Sequence, residues 1–137
     1  MKLNYGTLVF LVVFVLIFAF VAWEQPWTAP HIAGVAIIMP SFVLFVLARI
    51  QLGRAFSVQA RATTLVTTGL YSRIRNPIYV FSGLMIAGAI IWANDPRYLL
   101  IFAVLIPMQI LRSRKEAKVL EEKFGAAYLE YKRKTWF

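Results

Sequence analysis

Four apolar stretches dominate this chain: residues 7–23, 32–52, 78–93 and 98–111. The one charge inside them is Arg49, close to the end of the second. A bilayer span takes about 20 apolar residues, with a range of about 17–25. The first stretch meets that length, and it exceeds the apolar core of a cleaved signal peptide, usually about 7–15 residues. Phe20 also stands where a small residue is wanted before Ala22 in a cleavage site. The third stretch is short but adequate with interfacial flanks. The fourth is expected to continue as a charged helix. The expected fold is therefore all-α: one membrane domain over residues 1–137, a bundle of four transmembrane helices with a C-terminal amphipathic cytoplasmic helix. Within it, residues 1–52 form a first helical hairpin, and residues 53–137 hold a cytoplasmic loop, a second hairpin and the C-terminal helix.

The breaks between the stretches are written in proline. Pro26 and Pro30 break the chain in a turn, and Trp23 and Trp27 there suit a membrane interface. Asn94 to Arg97 reads as a tight turn around Pro96. Pro40 and Pro107 fall inside the second and fourth stretches, where membrane helices tolerate them and a kink is expected.

Charge sets the orientation. Lys and Arg number 15 against 6 Asp and Glu, a net charge of +9. The basic residues gather between the apolar stretches, in 49–76 and 112–137, with Lys2 at the start. The turn 24–31 has none and the turn 94–97 only Arg97. By the positive-inside rule both termini and the basic loops are cytoplasmic. Clustering of this kind favours membrane topology over a nucleic-acid surface, so no nucleic-acid partner is expected. Hydrophobic residues make up 61% of the chain, against roughly 45–50% in a soluble domain. The chain has no cysteine, which excludes disulfides, thiol catalysis and Cys-ligated metal, and its one histidine excludes a multi-histidine metal site. That residue, His31, falls at the non-cytoplasmic end, beside Pro30. Metal ligands are not expected.

Two basic segments carry the candidate chemistry. In the first, Pro77 opens the third helix, Asn76 is placed to cap it, and Arg75 stands just outside at the membrane face. That position suits an anionic head group or a cofactor carboxylate, and equally an ordinary basic flank. In the second, Arg112 and Glu116 are four apart and share a helix face, as a solvated ion pair also would. Further on, Leu120, Phe124, Tyr128 and Tyr131 recur at helical spacing, which predicts one amphipathic stripe along the tail.

Taken together, the segments read Gly-x-Tyr-x-x-x-Arg-Asn-Pro-x-Tyr over 69–79 and Arg-x-x-x-Glu-x-x-x-Leu-x-x-x-Phe-Gly-x-x-Tyr-x-x-Tyr over 112–131. In that order, separated by one helical hairpin, they resemble the isoprenylcysteine carboxyl methyltransferase and phospholipid methyltransferase family of membrane enzymes. Residues 52–57 and 64–68 are also similar to the family, and the resemblance covers about residues 50–131. It implies an S-adenosylmethionine-dependent methyltransferase working at the cytoplasmic face. It places Tyr71, Arg75, Asn76, Pro77, Tyr79 and Glu116 in cofactor binding, with Arg112 and Glu116 as catalytic candidates. The chain departs from the family at Asn76, where many members have histidine, at Phe81, where glycine is frequent, and at Ala117, which replaces the second acid of a paired motif.

Methyl transfer from a sulfonium suits these residue types. It needs donor and acceptor in line and water excluded, with no metal and no covalent intermediate. A sulfonium favours a carboxylate or an aromatic face, as Glu116 and Tyr79 offer. The methionine carboxylate favours Arg75 and the start of the third helix. The acceptor expected is lipidic or a small hydrophobic carboxylate, amine or thiol, drawn from the bilayer, with Arg112 available to a carboxylate. Two other classes remain open on sequence alone: an NADPH-dependent membrane reductase of the sterol-reductase type, and a non-catalytic membrane protein retaining the fold. Gly83, Ala87 and Gly88 leave a homo-oligomer open, and Gly88 equally suits room for a ligand.

Overall fold

A computed structural model describes residues 5–53 and 65–137. Lys2, Arg54, Arg61 and, of the familial stretches 52–57 and 64–68, residues 54–57 and 64 lie outside the described residues. Within them are five α-helices: α1 (Tyr5–Trp23), α2 (Ala29–Leu52), α3 (Pro77–Ala93), α4 (Leu100–Phe124) and α5 (Ala126–Lys134). Short 3₁₀ turns at Gly69–Ser72 and Pro96–Leu99 precede α3 and α4. Two helical segments, Ala29–Leu52 and Pro96–Phe124, are long and apolar enough to cross a membrane. Leu11–Trp23 and Pro77–Ala93 are shorter apolar helices.

The helix limits follow from local chemistry. Prolines open α2 and α3 within the first turn, where the missing N–H has no helical partner to lose. Gly53, at φ +52°, closes α2 by donating its N–H to the Arg49 carbonyl. Asn94 ends α3 in the left-handed region that asparagine tolerates better than most residues. Asp95 then receives both the Arg97 N–H, at 2.9 Å, and its guanidinium, at 2.6 Å, which tightens the turn into α4. Helices α2 and α4 continue through Pro40 and Pro107.

The tail differs from the single stripe the sequence suggests. Gly125, at φ +53°, stops α4 and redirects the chain into α5. A strictly periodic pattern cannot register one residue of reversed φ, so Leu120 and Phe124 belong to a different helix from Tyr128 and Tyr131. The two tyrosines are buried, whereas Leu120 and Phe124 are half-buried.

The principal seam joins α2 and α3. A Cβ on Gly34 would stand 2.5 Å from the Trp92 Cβ and 2.7 Å from the Gly88 carbonyl oxygen. A Cβ on Gly88 would stand 2.9 Å from the Gly34 carbonyl oxygen. Two backbones meet there, which only glycine permits. Gly88, a candidate on sequence for oligomer contact or ligand room, is thus used inside the chain. Ile38, Phe42, Phe45, Ala48, Phe81 and Ile90 provide buried apolar side chains on these two helices. On the outer side α1 stacks Phe14 on Phe42, with ring centroids 4.1 Å apart. Helix α4 has no buried residue: Leu100, Val104, Met108 and Leu111 are exposed, as suits a lipid-facing surface.

Hydrogen bonds and ring contacts sort the bundle into two ends. Gln51, Leu70, residues 73–76, Ser113, Glu116 and the tail meet at one end. His31 and Trp92 meet edge-to-face at the other, where the turns 24–28 and 94–99 also lie.

Candidate functional site

The chemistry-bearing residues converge where α3 begins, and the 3₁₀ turn before it is fastened first. Gly69 has φ +61°, and a Cβ there would fall 2.5 Å from the Gln51 side chain. In that space Gln51 accepts the Leu70 N–H at 2.8 Å, docking the turn on the end of α2. Tyr71 is thereby buried, 5% exposed. Its carbonyl receives the Tyr131 hydroxyl at 2.7 Å, tying α5 to the turn. Its own hydroxyl is buried with no hydrogen-bond partner among the described residues. Burial pushes that hydroxyl well above the usual tyrosine range, and the neighbouring Tyr131 and Glu116 push the same way.

The tail then clasps the segment before α3. Trp136 donates its N–H to the Arg73 carbonyl at 2.7 Å, and the Arg75 and Asn76 N–H groups donate to the Trp136 and Phe137 carbonyls, both at 2.9 Å. A single parallel bridge pairs Ile74 with Trp136. Arg75 lies beside Tyr128, whose hydroxyl is pushed up by burial and drawn back down by the guanidinium. The Arg75 Nε is buried with no partner among the described residues.

Asn76 sits at the cap position of α3, yet its side chain makes no capping hydrogen bond. Its amide nitrogen reaches outward, donating to Ser113 Oγ at 2.9 Å and to the Phe137 oxygen at 3.1 Å. An amide offers donors that tie two elements together, and Asn76 spends them on α4 and the tail rather than on its own helix. Pro77 beside it is fully buried.

One turn into α3, the Tyr79 hydroxyl donates to Glu116 Oε1 at 2.6 Å. Arg112 Nε donates to the same oxygen at 3.2 Å, and its guanidinium carbon lies 5.8 Å from the Tyr79 ring centroid. The Arg112–Glu116 pair is partly open to solvent, with side chains 48% and 30% exposed, so it contributes little to stability. Above it Gln109 donates to Ser82 Oγ at 3.3 Å.

All the sequence-derived candidates fall at this one end. Tyr79, Arg112 and Glu116 are in contact; Asn76 joins α3 to α4 one turn away; Tyr71 lies near enough to Glu116 and Tyr79 to feel their charge, and Arg75 lies beside Tyr128 and Tyr131. Sequence reasoning passed over Ser113, Gln109, Ser82 and the clasp at 136–137. Gln109, Arg112, Ser113 and Glu116 form a polar stripe at helical spacing, a signal that was available. The clasp is backbone pairing and leaves no side-chain signature.

A family model described as phospholipid methyltransferase matches residues 29–127. The match begins at α2, well before the motifs, and so takes in the helix against which α3 is packed. No curated protein and no solved structure matches the chain.

Proposed function

The chain belongs to the phospholipid methyltransferase family, and from that premise we propose that it methylates the head-group amine of a membrane phospholipid at the charged end of the bundle. Family membership makes it a membrane enzyme that uses S-adenosylmethionine as methyl donor. The acceptor, the face and the residue roles are our reading. When bound, the donor supplies an electrophilic methyl group on a positively charged sulfur.

The residues present fit that group. Tyr71 Oη and Arg75 Nε are buried polar atoms with no described partner, and each is a donor waiting for an acceptor. Arg75 suits the methionine carboxylate, and the Tyr71 hydroxyl suits another polar group of the donor. The Glu116 carboxylate and the Tyr79 ring suit a cationic centre. Asn76 and Pro77 hold the start of α3 in place, and Asn76 is the residue through which α4 keeps its distance from α3.

An amine acceptor arrives protonated and must lose a proton before its lone pair is available. Glu116 is the acid residue in the cluster, and Tyr79 already donates to it. A proton released by the head group at Tyr79 Oη can pass, as the tyrosine hands its own to Glu116 Oε1, and the partly exposed carboxylate returns it to solvent. Arg112, bonded to the same oxygen, holds the carboxylate in line. Because Arg112 is engaged this way, an acceptor carboxylate is a poorer fit than an amine. The observation that carries the reading is the Tyr79–Glu116 contact, which joins the two motifs through side chains 37 positions apart.

In the bilayer, α1 to α4 all cross, with both termini cytoplasmic. Arg49, Arg73, Arg75, Arg112 and Arg114 belong to the site end, while the opposite turns carry Glu24, Asp95 and Arg97, a distribution that supports this topology.

The test is made on detergent-purified protein. S-adenosylmethionine at 100 times its dissociation constant is expected to stabilise the fold by about 2.7 kcal/mol, with NADPH giving no shift. Labelled methyl is expected on an amine-headed phospholipid. Transfer to a carboxylate or thiol acceptor in preference would refute the proposed acceptor.

A further inference from the structure

Between α1, α2 and α3 lies a cleft of about 280 Å³ at the end of the bundle away from the charged site. Phe18 and Val21 wall it on α1, Ile38 on α2, and Met85, Ala89 and Trp92 on α3. Every side chain lining it is apolar except for the indole N–H of Trp92. It exists because α1 touches α2 through Phe14 and Phe42 while α2 and α3 close on each other at Gly34 and Gly88, which leaves the later part of α1 standing off.

We propose that this cleft holds one hydrocarbon chain of the lipid acceptor, and so selects acceptors by chain length. The inference rests on the phospholipid reading of the site. It is carried by continuity along one helix. Tyr79 and Ser82 face the polar cluster, and from Ser82 the positions 85, 89 and 92 follow at spacings of three, four and three, one stripe of α3. That stripe leads from Ser82, which accepts from Gln109 at the edge of the polar cluster, into the cleft. At about 1.5 Å of rise per residue, Met85 stands about 9 Å and Trp92 about 20 Å beyond Tyr79. A chain attached to a head group at Tyr79 reaches that depth within one leaflet, whose hydrocarbon is about 15 Å thick, half of the core, with the remainder taken up by the head group and linker. A second copy of the protein would have to thread a side chain between three helices to fill the same space, whereas a flexible alkyl chain enters sideways from the bilayer. Since the chain comes from lipid rather than water, its gain is in fit and placement, not in transfer from water, so the cleft acts on selection.

Two variants fill the cleft from opposite walls: Ala89→Phe on α3 and Ala22→Phe on α1. Both positions line it, and neither belongs to the methyl-transfer cluster. For each variant, KM is measured in mixed micelles for a long-chain and a short-chain phospholipid with the same amine head. KM for the long-chain lipid is expected to rise about tenfold, the scale of an overpacked site, while KM for the short-chain lipid and for S-adenosylmethionine stays as in the wild type. Equal effects on both lipids, or none, would overturn the proposal. A second readout needs no turnover. With Trp23, Trp27 and Trp136 replaced by Phe, the fluorescence of Trp92 is followed as lipid brominated midway along its chain is added. Quenching that is lost in Ala89→Phe supports occupancy, and quenching unchanged by it refutes the proposal. If no amine lipid is methylated but that quenching pattern holds, the head-group reading fails and the chain site stands.

Discussion

Helix α3 has two unlike neighbours. Against α2 it is pressed backbone to backbone: Gly34 and Gly88 leave no room for a Cβ, and the surrounding side chains are apolar. Against α4 it is held at arm's length by polar tips, Asn76 to Ser113, Tyr79 to Glu116 and Gln109 to Ser82. Within a bilayer the hydrophobic effect does not drive helices together, so close packing has to. The α2–α3 seam is therefore where the bundle's stability resides. The α3–α4 seam, open and polar, is where groups can face a ligand. A protein that must admit a nucleotide-sized donor and a lipid cannot seal both sides of the same helix.

The largest effect is expected from breaking the tight seam. In Gly34→Ala the new Cβ meets Trp92 and the Gly88 carbonyl, and two of its three nearest atoms are backbone, so no rotamer change relieves it. A loss of about 3 kcal/mol is expected, from overpacking, read as a lowered thermal midpoint in detergent with loss of all ligand response. A stable Gly34→Ala protein would mean that the seam is not the source of stability.

The open seam should answer in the opposite sense. In Glu116→Gln the amide oxygen still accepts from Tyr79, so the fold should keep its thermal midpoint. The proton acceptor is gone, and kcat is expected to fall about 100-fold, the low end for losing a general base. A large drop in stability with kcat intact would reverse the division of labour between the two seams.

How far the sequence alone reached divides along the same line. Hydropathy places the four apolar helices because lipid calls for long apolar runs, and the turns around Pro26, Pro30 and Pro96 fall between them as their prolines suggest. The candidate residues Arg75, Tyr79, Arg112 and Glu116 were legible through the resemblance of their two motifs to the family's. The seams were not. Whether Gly88 serves a neighbouring helix, a second copy or a ligand depends on which residue comes to face it, and Gly34 is far away in sequence. Asn76 looked like a cap because its position is a cap position; its amide turned to Ser113 and Phe137 once the tail had folded back. That fold-back depends on Gly125, where one reversed φ breaks a pattern of otherwise helical period.

A smaller effect is expected at Arg75, on the turn that borders the open seam. Arg75→Ala removes a half-buried guanidinium whose Nε is buried with no partner among the described residues, and leaves the backbone clasp to Trp136 intact. S-adenosylmethionine affinity is expected to weaken about tenfold, the scale of one hydrogen bond to a charged group, measured by calorimetry. Arg75→Lys should recover only part of it, since an ammonium lacks the planar fork. Full affinity in Arg75→Ala would place the donor's carboxylate elsewhere and leave Arg75 as a partner of Tyr128.

The smallest effect tests a third contact, between α5 and the turn at Tyr71. The Tyr131 hydroxyl donates to the Tyr71 carbonyl at 2.7 Å, and burial pushes its pKa up to about 12. The unfolded chain, with tyrosine near 10, gives up that proton first. Stability from this group is therefore whole below about pH 10 and is lost as pH rises through about 12, because the unfolded state binds fewer protons over that interval. Tyr131→Phe deletes the donor and the titration together. It is expected to lower stability by about 1 kcal/mol at pH 8 and to lessen the decline between pH 10 and 12, where Tyr71 and Tyr128, also pushed up by burial, keep the rest of the slope. Thermal midpoints at stepped pH in detergent measure both. If the variant declined as steeply as the wild type, α5 would be releasing the turn before Tyr131 ionises, and the tail would be clasped by its backbone pairing to residues 73–76 alone.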